Sequence, residues 1–149
     1  MNRIGNFLLK NMVLLLIGGD IYQLIEILYR GYSHWSMFIL GGICFLSLGY
    51  INKFLSWATP LPLQMLIGMV MITVLEFVTG LIVNIYFGWN VWDYSHMPLN
   101  LWGQISVLSS IGWYFLSVVG IVLDDYLRYW LFHEEKPRYS IGFTKLKKS

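Results

Sequence analysis

Leu63 to Phe87 reads LQMLIGMVMITVLEFVTGLIVNIYF, 25 residues with one charged side chain, Glu76. A helix rises about 1.5 Å per residue, so roughly 20 apolar residues cross a hydrocarbon core about 30 Å thick. Backbone N–H and C=O groups find no water there and must pair within the segment, which makes the stretch a helix. Working outward, Pro60 and Pro62 separate it from a second apolar run, Met37 to Leu55. Gly31 to His34 separates that run from a third, Met12 to Leu28, and Gly88 to Pro98 leads into a fourth, Leu99 to Leu123. The expected fold is all-α: an integral membrane bundle of four transmembrane helices over residues 12–28, 37–55, 63–87 and 99–123. Gly41 and Gly42 leave a re-entrant hairpin as the alternative for the second.

Composition agrees. The chain is 57% hydrophobic and 12% charged, about half the charge of an ordinary soluble domain. Its basic residues cluster at expected membrane edges, so nucleic acid is excluded as a partner and the lipid bilayer is the expected one. The lone Cys44 sits in an apolar run and reads as a small buried residue. Arg3, Lys10 and the run from Met12 have the form of a signal peptide, but no small-residue cleavage site follows, so the segment reads as an uncleaved first helix. With both termini inside, one side of the membrane holds Arg3, Lys10, Lys53, Arg128, Lys136, Arg138, Lys145, Lys147 and Lys148, and the other holds Arg30 alone. The positive-inside rule then places both termini in the cytoplasm. Six tryptophans, Trp35, Trp57, Trp89, Trp92, Trp102 and Trp130, fall near the expected interfaces. Residues 124–149 read as an interfacial helix carrying Asp124 and Arg128 at i,i+4, followed by a basic cytoplasmic tail.

An internal repeat is also expected. Tyr32 to Ser47 aligned with Tyr94 to Ser109, an offset of 62, gives seven identities in 16 positions, including Tyr-Ser-His and Gly41 with Gly103. The bundle would then consist of two parallel two-helix repeats about an axis along the membrane normal.

Helix faces select candidate residues. Gly19, Asp20, Gln23, Glu26 and Arg30 share an arc of the first helix that should face protein, with Leu14, Ile17, Ile21, Leu24 and Leu28 toward lipid. Glu26 and Arg30 are placed to pair. In the third helix, Thr73, Glu76, Gly80 and Asn84 share one side, opposite Val74, Val78, Leu81 and Ile85. A carboxylate at that depth is protonated or partnered; it either braces helices or carries a proton in transport. In the fourth helix, Ser106, Ser109, Ser110, Trp113, Ser117 and Gly120 form a stripe suited to close packing. The outer loop Trp89 to Asn100 is dense in aromatic and hydrogen-bonding groups. His34 and His96 follow identical Tyr-Ser pairs, and with Asp93 and Glu26 they are expected to converge on an outer pocket walled by Trp89, Trp92 and Tyr94; the other reading has each histidine serving its own loop. The spacing matches no metal motif.

The segments E-F-V-T-G (Glu76 to Gly80), N-V-W-D-Y-S-H-M-P-L-N (Asn90 to Asn100), Gly103-Gln104-Ile105 and D-D-Y-L-R (Asp124 to Arg128) resemble the small bacterial membrane proteins of the ABC-transporter type IV family. Tyr29-Arg30-Gly31, Ser33 to Met37 and Asn52 fit as well. The resemblance implies a four-helix protein of the bacterial cell membrane. It supplies no catalytic residue, and the chain has no phosphate loop, G-x-S-x-G or H-E-x-x-H motif and no cofactor signature. A transporter built on this chain takes its energy from a separate ATPase. The candidate binding residues are Glu26, Arg30, His34, Glu76, Asn84, Asp93, Tyr94, His96, Asn100 and Gln104. Three readings follow: a permease or membrane subunit of a transporter; a structural, sensory or assembly protein that binds another membrane protein or a second copy; and a membrane enzyme using the outer histidines and carboxylates.

Overall fold

The computed structural model describes residues 2–141. Four helices dominate: α1 Arg3–Arg30, α2 Trp35–Phe54, α3 Leu61–Gly80, which runs on as a π-helical turn Leu81–Tyr86, and α4 Val107–Phe132. All four are long and apolar enough to cross a membrane. A two-stranded hairpin, β1 Asn100–Leu101 and β2 Ile105–Ser106, precedes α4 with Leu101 paired to Ile105. We call its end of the bundle the hairpin end, and the end where α1 begins the basal end.

The helix limits follow from local chemistry. Asn2 caps α1 by accepting from the Gly5 N–H at 2.7 Å. Gly31 closes it at φ 84, a left-handed conformation that costs glycine little. Pro60 and Pro62 open α3. Ser106 and Ser109 form a reciprocal capping box at the start of α4.

The helices approach closely where side chains are absent. Gly18 and Gly19 of α1 face Phe45 and Phe38 of α2, while Gly41 and Gly42 of α2 face Tyr22 and Leu15 of α1. A Cβ at any of the four would collide, so this double glycine seam fixes the α1–α2 spacing. α2 is one continuous helix, and Gly41 and Gly42 serve packing rather than a re-entrant turn. The small stripe of α4 packs likewise: Ser110 Oγ lies 2.9 Å from Thr73 Oγ1, Ser117 fits against Gly68, and Leu48 fills the space beside Gly120. Two apolar clusters form the core. Met37, Leu40, Val83, Val91 and Trp92 lie toward the hairpin end, and Leu48, Ile51, Ile72 and Ile121 toward the basal end.

Four expectations are corrected. The fourth helix starts at Val107, not Leu99, because Trp102 and Gly103 take positive φ (55 and 71) and turn the chain into the hairpin. Gly103 therefore sits in a turn while Gly41 lies inside α2, and the aligned segments adopt different structures; the sequence repeat has no structural counterpart there. Trp92 is buried in the core instead of lying at an interface. α4 continues unbroken to Phe132 with Asp124, Asp125 and Arg128 buried, so these residues are interior rather than part of a surface helix. Lys145, Lys147 and Lys148 of the expected basic tail lie outside the described residues.

Candidate functional site

The inward face of α3 repeats every four residues: Gln64, Gly68, Ile72, Glu76, Gly80 and Asn84. Four residues advance a helix by slightly more than one turn, so these positions form one stripe along the bundle axis. All but Asn84 are buried; Val74, Val78 and Ile85 point outward as the pattern requires.

Glu76 is 2% exposed. One carboxylate oxygen accepts from the Trp113 Nε1–H of α4 at 3.2 Å, and the other from the Tyr94 hydroxyl at 3.2 Å. Tyr94 belongs to the loop after α3, and its phenol is pushed up by burial and by the Glu76 charge, which keeps it a donor. Both partners are neutral donors. Glu76 lines a cavity of about 80 Å³ whose walls come from all four helices, including Tyr22, Cys44, Leu48 and Trp113. That is room for several waters against an otherwise apolar wall.

The loop from Phe87 to Ser106 folds down onto the bundle. Asn84 accepts from the Val91 N–H at 2.7 Å and donates to Gln104 Oε1 at 2.8 Å. Trp92 Nε1 donates to the Gln104 carbonyl at 2.9 Å. Gln104 rests on Gly80, where a Cβ would collide with it. Asn100 ties the loop by donating to the Met97 carbonyl at 2.8 Å and accepting from the Gly103 N–H at 2.9 Å. Arg30 pairs with Glu26 at 2.6 Å and donates to the Val91 carbonyl at 3.3 Å.

Glu76, Asn84, Tyr94 and Gln104 thus form one assembly beneath the loop, with Glu26 and Arg30 bracing its edge and Asn100 setting its shape. The outer histidines do not join it. His34 caps its own helix, accepting from the Ser36 N–H at 3.2 Å, with its ring in a three-way cluster with Trp35 and Trp89. His96 is exposed on the loop. Asp93 is exposed and accepts from the Ser95 N–H at 2.8 Å, a bond that holds its carboxyl below the usual range. The expected convergence of His34, Asp93 and His96 gives way to local bonding for His34 and Asp93, each of which has a partner in its own turn, while His96 stands exposed on the loop with its charge felt by Asp93.

A second polar cluster occupies the basal end. Arg128 Nε donates to Asp124 Oδ1 at 2.5 Å, and both side chains are buried. Gly49 makes room for the Asp124 carboxyl. Asn52 and Tyr139 each donate to Asp125 Oδ2 at 2.7 Å. Residues 133–141 cross this end as a strap: Glu134 pairs with Lys10 at 3.1 Å and with Lys53, and the Ser140 carbonyl accepts from the Leu61 N–H at 2.6 Å. Tyr139 also meets Trp57 edge to face. The sequence reading missed this cluster; Asn52, Asp124, Asp125 and Arg128 at the ends of apolar runs were its signal.

Burial alone would raise the Glu134 carboxyl, but the bonds from Lys53 and Lys10 outweigh it and hold it below the usual range. A depressed carboxyl stabilises the fold above its ordinary range, near 4.3 for a free glutamate on the order of model peptides, and that contribution is lost as pH falls through the lowered value. Trp57 fluorescence is expected to report loosening of the strap only in acid, and Glu134→Gln to remove that pH step. An unchanged step in Glu134→Gln would assign it to another group.

The family model described as "Putative ABC-transporter type IV" matches residues 13–141, which span the bundle, the loop and the strap. The chain belongs to that family. No curated protein and no solved structure matches it. This type IV family member is a multi-pass membrane protein by its four apolar helices and its family.

Proposed function

We propose that this chain is a membrane subunit of a transporter of the bacterial cell membrane, with the basal end cytoplasmic and energy supplied by a separate ATPase. The observation that carries the reading is Glu76: a carboxylate near the middle of the span, held by two neutral donors in a cavity that all four helices line. An ionisable group inside a membrane bundle is by default a candidate for a solute or proton pathway. The family name supports transport, and a separate ATPase accords with the lack of a phosphate loop in this sequence. The basal cluster, with Lys53, Arg128 and Glu134 around a cavity of about 200 Å³, offers that protein a polar surface.

The test is crosslinking from a photoreactive residue at exposed Glu135. Recovery of an ATPase whose turnover in proteoliposomes depends on this chain supports the proposal. Recovery of a sensor kinase or an envelope enzyme in its place supports the assembly reading and overturns it. Orientation is checked separately: in a Cys44→Ala background, cysteines at Ser33 and Ser95 are expected to react with an impermeant reagent from outside, and one at Lys136 is not. Opposite labelling of Ser33 and Ser95 would sink the topology.

A further inference from the structure

The arc of α1 that should face protein does so only in part. Gly19 packs on α2, Gln23 donates to the His34 carbonyl and Glu26 pairs with Arg30. Asp20 does not follow them. It is exposed, and among the described residues it has no hydrogen-bond or ion-pair partner. Asp20 is two residues on from Gly18, hence roughly 160° round the helix from the seam with α2. Its neighbours along that face, Leu9, Leu16, Leu24 and Ile27, are all exposed and apolar. Leu14, expected toward lipid, is instead fully buried, which confirms how α1 is turned.

Depth sharpens the point. Asp20 stands at the midpoint of Met12 to Leu28, eight residues from either end, or about 12 Å of helix each way. An aspartate side chain is too short to reach the interface from there, unlike lysine or arginine. A carboxylate in that position is costly unless another group meets it within the membrane.

We infer that the exposed face of α1 docks a transmembrane helix of another protein, one that presents a lysine or arginine at mid-bilayer depth to Asp20. The apolar residues above and below Asp20 supply the packing surface, and the opposite charge sets the register. A second copy of this chain does not fit the role. The basic residues within its described helices, Arg3, Lys10, Arg30, Lys53 and Arg128, lie toward the ends of those helices, and Arg128 is already paired with Asp124. Two copies joined through this face would set Asp20 against Asp20. The inference is independent of the transport reading: it concerns the outer face of α1, not the Glu76 cavity.

The experiment uses the full chain in nanodiscs of zwitterionic lipid and a polyleucine transmembrane peptide as probe, with lysine, leucine or glutamate at its centre. Association is read by energy transfer. The lysine peptide is expected to bind about tenfold more tightly than the leucine peptide, the scale of one interhelical polar contact in lipid. Asp20→Leu should bring the two to equal affinity, and Asp20→Lys should transfer the preference to the glutamate peptide. Because Asp20 has no partner among the described residues, both variants should keep the wild-type Tm. Equal binding of the lysine and leucine peptides by the wild type would overturn the inference, as would a preference that survives in Asp20→Leu. Self-association of the chain that Asp20→Leu abolishes would assign the face to a second copy and overturn it as well.

Discussion

Asp124→Ala is expected to be among the most damaging single substitutions in this protein, lowering stability by about 3–5 kcal/mol, the usual scale for breaking a buried ion pair from one side. Arg128 is 2% exposed and donates to Asp124 at 2.5 Å. Without the carboxylate its guanidinium would remain buried, with Glu134 3.9 Å from Nη1, the Tyr50 ring against it and the charge of Asp125 nearby, but with no direct hydrogen-bonded partner in place of Asp124. Removing both members together as Asp124→Leu with Arg128→Met takes away the stranded charge and should recover most of the loss. Unfolding midpoints in detergent for the single and double variants check this. A single variant as stable as the wild type would mean that the guanidinium finds solvent.

The second large effect separates two replacements of Glu76. Glu76→Gln can keep both hydrogen bonds in one orientation: its carbonyl oxygen accepts from Trp113 Nε1–H, which can only donate, and its amide donates to the Tyr94 oxygen. It should retain the wild-type fold and lose transport if the carboxylate carries charge or a proton. Glu76→Leu strands both donors, and each orphan costs about 1–3 kcal/mol, so this variant should be less stable by the sum of the two and melt at a lower temperature. Thermal unfolding beside solute flux in proteoliposomes reads both outcomes. A fully active Glu76→Gln would make the residue a brace.

The sequence made the helices legible because lipid leaves little choice: an apolar run of the right length must be helical. It made the inward face of α3 legible because Glu76 and Asn84 cannot face hydrocarbon. Elsewhere the same logic misled. Leu99 to Ser106 is apolar enough to extend α4, yet Trp102-Gly103 turns it, and positive φ at a tryptophan leaves no mark in composition. Pairing of His34 with His96 rested on shared neighbours, but an imidazole one residue before a helix has a nearer use as its cap. The basal cluster was hidden because its partners, Asn52, Asp125 and Tyr139, are far apart in the chain and carry no common period.

The strap has a consequence for biosynthesis. Residues 133–141 leave the ribosome after the four described helices, yet they hold Lys10, Lys53, Asp125 and the start of α3 in place. A nascent chain therefore makes its four spans before Lys10 and Lys53 have their final partner, and the bundle is locked by a segment made after all four. Chains stopped short of Glu134 would carry all four spans but leave Lys10 and Lys53 unpaired, a difference that a membrane protease can read.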